Sequence, residues 1–234
     1  MYRELSPQRI ADTAEQLRKR IQERFPGSGL GQVAGELTAV ARESERVSLA
    51  LSQPIAAVRV IVGITLLILV ATLILGLSLV KPDTREIGFA EAVQAVEAGI
   101  NDLVFVGVAA YFLIGIERRI KRHRALQALH VLRSFAHVVD MHQLTKDPDA
   151  LGADDTQRTT SSPERNLTAF QTARYLDYSS ELLAIISKVA AIYVQRFDDS
   201  EALRAAGDIE DLTVGLSRNI WQKIMILDRV SDDA

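Results

Sequence analysis

VIVGITLLILVATLILGLSLV, residues 60–80, is the stretch whose reading decides the fold. It carries no charge over its 21 residues. At about 1.5 Å per residue a helix of that length covers roughly 31 Å, one hydrocarbon thickness. A soluble core helix of this composition would need apolar neighbours on every side, so the run reads as a transmembrane helix. Gln53-Pro54 marks its start, because proline is tolerated in a first helical turn. Lys81-Pro82 marks its end. Arg59 lies at the inner edge, where a long cationic side chain reaches back to the headgroups as an anchor or a contact to anionic lipid.

Outward from this run, a second apolar stretch reads LVFVGVAAYFLIGI, residues 103–116. Taken alone it is short for a span, at about 21 Å. The flank decides. ERRIKRHR, residues 117–124, holds five lysines and arginines against one acid. A basic cluster directly after an apolar run is a cytoplasmic stop signal, so a second span over 100–116 is expected. The connection 81–102 holds two basic residues (Lys81, Arg85) and five acids (Asp83, Glu86, Glu91, Glu97, Asp102), whereas Arg42, Arg46 and Arg59 flank the uncharged run on its N-terminal side. This asymmetry puts both termini in the cytoplasm and the connection outside, in an inner or plasma membrane. The charged first 30 residues contain no apolar h-region of a cleavable signal peptide.

The remaining sequence reads as helix throughout. The expected fold class is therefore an all-α membrane protein: a two-span transmembrane hairpin with N-terminal helices and a C-terminal cytoplasmic helical bundle. Residues 1–53 carry two amphipathic helices. The first starts at Ser6-Pro7 and is lined by Ile10, Ala14, Leu17 and Ile21; Pro26-Gly27-Ser28-Gly29 ends it. The second is lined by Val33, Leu37, Val40 and Val47. The hairpin occupies 54–116: a first span over 54–80, an outer amphipathic helix over 83–99 and the second span over 100–116. Asp83 with Glu86 gives the outer helix a cap, and Phe89, Val93, Val96 and Ile100 give it an apolar face.

Residues 117–234 form the bundle. Its first helix runs to Leu144, with Leu129, Leu132, Ala136 and Val139 facing inward. A small, polar linker follows at 152–162. A second helix starts at Ser162-Pro163-Glu164 and carries Phe170, Ala173, Leu183, Ile186, Ala190 and Tyr193. The third is capped by Asp198 with Glu201 and carries Leu203, Ala206, Ile209, Leu216, Ile220, Ile224 and Leu227. Leu182, Ile185, Val189, Leu212, Trp221 and Met225 lie off these stripes. The N-terminal helices could cover some of them and neighbouring copies the rest.

Composition sharpens what is left. Of 234 residues, 48% are hydrophobic, enough for a core, and the net charge is -3, too small for a general nucleic-acid field. The absence of cysteine rules out thiolate metal sites and a cysteine nucleophile. There is no P-loop, nucleophile elbow, H-E-x-x-H or dinucleotide fingerprint, so no enzyme, cofactor or metal site is expected.

Three groups of residues remain as candidates. Arg118, Arg119, Lys121, Arg122 and Arg124, with Arg59, form a membrane anchor or an anionic-lipid contact. His123, His130 and His137 repeat every seven residues, too far apart for one ion. His137 with Asp140 is left as a pH-sensitive pair. Asn101 and Asp102 sit where an oligomer would present an acidic pore mouth. The layout is similar to that of small bacterial two-span proteins, membrane effectors of conflict systems among them. Two functions follow as expectations. The first is a homo-oligomeric membrane-anchored scaffold or regulator whose cytoplasmic bundle binds itself and a protein partner. The second is a homo-oligomeric ion channel or pore-forming effector. The partners implied are the lipid bilayer, a second copy of the chain and a cytoplasmic protein, with no nucleic acid.

Overall fold

A computed structural model of the chain describes residues 4–79, 89–146, 161 and 167–232. Among these there are six α-helices and no strand. Ser6 caps α1 (Pro7–Arg24): its hydroxyl accepts the Arg9 amide at 3.4 Å, and Pro7 opens the helix where a missing N–H costs nothing. The chain turns at Gly27, whose φ of 72° is open to glycine without strain. It re-enters helix as α2 (Gly29–Ser52), where the Ser28 hydroxyl accepts the Gly31 amide at 3.2 Å. A Cβ on Gly29 would meet the tip of the His142 ring, which would have to swing aside to admit it. Pro54 separates α2 from α3 (Ala56–Leu79).

α4 runs without interruption from Phe89 to Leu144, 56 residues. At about 1.5 Å per residue it is some 84 Å long. The expected outer helix, second span and first bundle helix are thus one element. No proline occurs between Pro82 and Pro148, and isolated glycines such as Gly99 lower helix stability without ending it. The expected cap at Asp83 and Glu86 lies outside the described residues, as do the linker at 152–162, Ser161 excepted, and the Ser162-Pro163-Glu164 start.

α5 (Ala169–Val194) begins a turn and a half later than that sequence signal. Its start is a capping box: the Gln171 amide donates to the Thr168 hydroxyl at 3.2 Å, and the Thr168 amide donates to Gln171 Oε1 at 2.9 Å. At the start of α6 (Ser200–Asp232) Asp199, not Asp198, is the cap: its Oδ1 accepts the Ala202 amide at 3.3 Å. Asp199 is itself fully buried, which favours the residue that can reach back into the helix start.

The chain divides into two compact units, 1–52 with 124–234 and 53–123. In the first, α1, α2, the end of α4, α5 and α6 share one core that includes Leu17, Ile21, Leu37, Leu132, Leu183 and Ile220. α5 is its hub. Leu182, Ile185 and Val189, which lie off the main stripe, are buried alongside Leu183, Ile186 and Ala190. Both α1 and α2 pack on α5, so the N-terminal helices supply the cover for that second face. Two residues assigned inward by periodicity lie outside: Phe170 and Leu203 are exposed. The buried hydroxyls of Thr38, Ser44 and Ser179 donate to carbonyls three or four residues back, so the core holds them without an orphaned polar group.

In the second unit, α3 and the adjoining part of α4 are long and apolar enough to cross a membrane. None of the residues in their most apolar windows is buried. Ile61, Leu67, Leu103 and Phe105 are each more than half exposed. Burying such surfaces is favourable by roughly 25 cal/mol per Å², so side chains like these call for an apolar surrounding.

Candidate functional site

The best-defined polar cluster of the 53–123 unit is built on Glu117, just past the second apolar run. Pro54 has no N–H, so the first free donor at the entrance to α3 is the Ile55 amide, and it donates to Glu117 Oε1 at 3.1 Å. Arg59 Nε donates to Oε2 at 2.8 Å, and Lys121 Nζ, one turn along α4, lies 3.0 Å from Oε1. The carboxylate therefore sits at the positive end of the α3 dipole and holds two cations as well. This geometry pins the start of α3 beside the end of the second apolar run.

The cluster redistributes the basic residues. Arg59 and Lys121 are partners of Glu117, and Lys121 is only 9% exposed. Arg119 lies 4.9 Å over the Phe112 ring, a cation–π contact on the apolar helix itself. Arg118 and Arg124 are exposed and Arg122 is half-buried. Glu117 has no signal in the sequence beyond being the one acid in a basic run.

Asn101 and Asp102 are exposed on α4. The hydroxyls of Thr65 and Thr72 donate to the carbonyls of Ile61 and Ile68, each at 2.9 Å, and so are satisfied within α3. His123, His130 and His137 are exposed along α4. No ion pair joins His137 to Asp140 among the described residues. Asp140 Oδ1 instead accepts from Gln143 Nε2 at 2.7 Å, and the buried Gln143 accepts from Lys223 Nζ at its Oε1 (2.7 Å) and its carbonyl (3.2 Å). This bridge ties the end of α4 to α6. Among the described residues no group of three or more histidines, aspartates or glutamates is placed to hold a metal ion.

The second candidate surface is on α6. Leu203 is 45% exposed, Val214 53%, Trp221 53% and Met225 56%. Steps of eleven, seven and four residues at about 100° each bring all four within about 40° of one another. They form one apolar stripe along a flank of the helix, about a third of a turn round from the buried side at Ala206, Ile209, Ile220 and Leu227. Trp221 and Met225 were recognisable in the sequence as surplus to the bundle. Leu203 and Val214 were not, because Leu203 also fits the inward stripe.

No protein-family model, curated protein or solved structure matches the chain.

Proposed function

We propose that this chain is a homo-oligomeric membrane-anchored scaffold or regulator. α3 and the first apolar part of α4 cross an inner or plasma membrane as a hairpin. Both termini are cytoplasmic, and the bundle offers α6 to other copies or to a cytoplasmic protein. The observation that carries this reading is the α6 stripe. α1 and α2 cover the second face of α5, while Met141 and Leu144 at the end of α4 and Phe170 on α5 stay exposed as single side chains off any common helix face with the α6 residues. Four large apolar side chains in line on one flank are what a second surface would cover. Within the bilayer, the open space around the Cβ positions of Gly99 and Gly107 leaves room for a neighbouring helix to approach closely. The charge asymmetry of the connection 81–102 supports the orientation.

Conduction has less support. Thr65 and Thr72 are satisfied by their own helix, and Asn101 and Asp102 are exposed at one end of the second apolar run rather than along it.

The test is the mass of the full chain in mild detergent and in lipid. The wild type is expected to be an oligomer. Replacing Trp221 and Met225 together with Glu is expected to lower that mass without affecting membrane insertion. A monodisperse wild-type monomer in both environments overturns the reading.

A further inference from the structure

Three arginines converge on one tyrosine where α1 meets α5. Arg20 and Arg24 lie one turn apart near the end of α1, and Arg174 lies in the second turn of α5. The Arg20 and Arg174 guanidiniums lie 5.4 and 5.1 Å from the centre of the Tyr178 ring. Arg24 Nε donates to the Tyr178 hydroxyl at 3.3 Å, and its guanidinium covers the Phe170 ring at 5.4 Å. Between them opens a cleft of about 380 Å³ lined by Arg20, Glu23, Arg24, Arg174 and Tyr178. That volume falls within the range of small-molecule sites.

Glu23 lines the cleft beside Arg24, and the other two arginines are each paired with a carboxylate. Arg174 Nη1 pairs with Asp177 Oδ2 at 2.7 Å, and Arg20 pairs with Glu181. Arg24 has no carboxylate partner among the described residues. Its one hydrogen bond there uses Nε, which leaves the terminal amino groups of a rigid fork for another acceptor. Like charges one helical turn apart repel, and Arg20 and Arg24 hold that arrangement beside a third guanidinium. The tyrosine registers the field. Burial works to raise its pKa, but the Arg24 hydrogen bond and the positive charges of Arg24 and Arg174 outweigh it and leave the hydroxyl below its ordinary range. A doubly charged oxyanion in the cleft would relieve the repulsion and accept from the free amino groups. Phosphate oxygens match the guanidinium fork two at a time.

We propose that the Arg20–Arg24–Arg174 cleft is a binding site for a terminal phosphate group, with Arg24 as the residue that grips it. Phe170, 63% exposed beneath Arg24, adds an apolar surface for the body of the ligand. The site lies wholly within one unit of the chain and does not depend on assembly through α6. The phosphate is that of a soluble metabolite or of a lipid headgroup, and the ligand arms of the test separate the two.

The test uses the full chain in detergent, with inorganic phosphate as the first probe, read by ³¹P line broadening and calorimetric titration. Saturable binding is expected. Losing a charge-assisted fork should weaken it at least about tenfold in Arg24→Gln. Arg24→Lys, which keeps the charge but not the fork, should also weaken it. Arg42→Gln, outside the cleft, should leave it intact and shows that loss is not a general effect of removing an arginine. A nucleoside monophosphate and short-chain phosphatidic acid are then compared. Tighter binding of either, with the same dependence on Arg24, supports the site and assigns its source. Absence of saturable phosphate binding, or equal binding by the wild type and Arg24→Gln, overturns it. Circular dichroism of each variant confirms that helix content is retained.

Discussion

Leu37→Ala tests whether the helices before the apolar run and those after it fold as one body. Leu37 is fully buried in α2, within the cluster that also holds Leu132, Leu183 and Ile220. Truncation removes its transfer energy and leaves a cavity, at a cost of about 2–5 kcal/mol for a site of this kind. For a unit of this size each kcal/mol lowers the melting midpoint by about 2–4 °C, so a loss of ~3 kcal/mol predicts a drop of roughly 6–12 °C. The chain supplies its own probe, a single tryptophan, Trp221, on α6. The expected result is one transition, displaced by the same amount in Trp221 fluorescence and in far-ultraviolet circular dichroism. Protein concentration must be held fixed, because dissociation of copies would shift the midpoint on its own. If the Trp221 transition stays in place while part of the helix signal melts early, α1 and α2 fold apart from α6, and the shared core is refuted.

Three further outcomes are expected. The Arg18 hydrogen bond, with the charges of Arg18 and Arg42, holds the Glu15 carboxyl down at about 2. A depressed carboxyl stabilises the fold fully above its ordinary value near 4.5 and loses that contribution as pH falls towards 2. The stability gap between the wild type and Glu15→Gln should therefore be constant at neutral pH and close between pH 4.5 and 2 in acid titrations of the melting midpoint. Glu117→Ala removes the acceptor of the Ile55 amide, so exchange of that amide should accelerate while exchange deep in α5 is unchanged. In this cysteine-free chain, a cysteine at Glu91 is expected to react with an impermeant thiol reagent from outside intact cells, whereas cysteines at Ser28 and Ser200 should not. Labelling at Ser200 would end the two-span hairpin reading.

Much of the helix inventory was legible because one-sided periodicity needs only one sequence segment. Ile10, Ala14, Leu17 and Ile21 read as a face, and so did Leu129, Leu132, Ala136 and Val139; all eight are buried. α5 was harder. A helix buried on two faces shows apolar residues at almost every step, and periodicity alone does not say what covers the second face. Here the cover comes from α1 and α2, more than a hundred residues away. Capping was ambiguous at Asp198-Asp199, where two adjacent acids offer the same chemistry and burial selects between them. The Glu117 cluster was not visible at all. Its meaning depends on the Ile55 amide and Arg59 arriving from another helix, and in the sequence the residue merely dilutes a basic run. The arginines around Tyr178 were hidden in the same way, divided between two helices.

The position of α5 as hub also sets a timetable for biosynthesis. α1 and α2 leave the ribosome early, and they can pair with each other at once. The sides they will present to Leu182, Ile185 and Val189 have nothing to meet until Val194 has been made. Between Ser52 and Val194 lie α3 and all of α4, so at 5–20 residues per second the wait is roughly 7–30 s. During that interval a nascent helical pair with an open apolar side coexists with the chain's most water-averse segments. That makes the early helices natural clients for a holding chaperone. Slowing translation after residue 52 should lengthen this vulnerable period, whereas supplying α1 and α2 late, as a separately expressed segment, should shorten it.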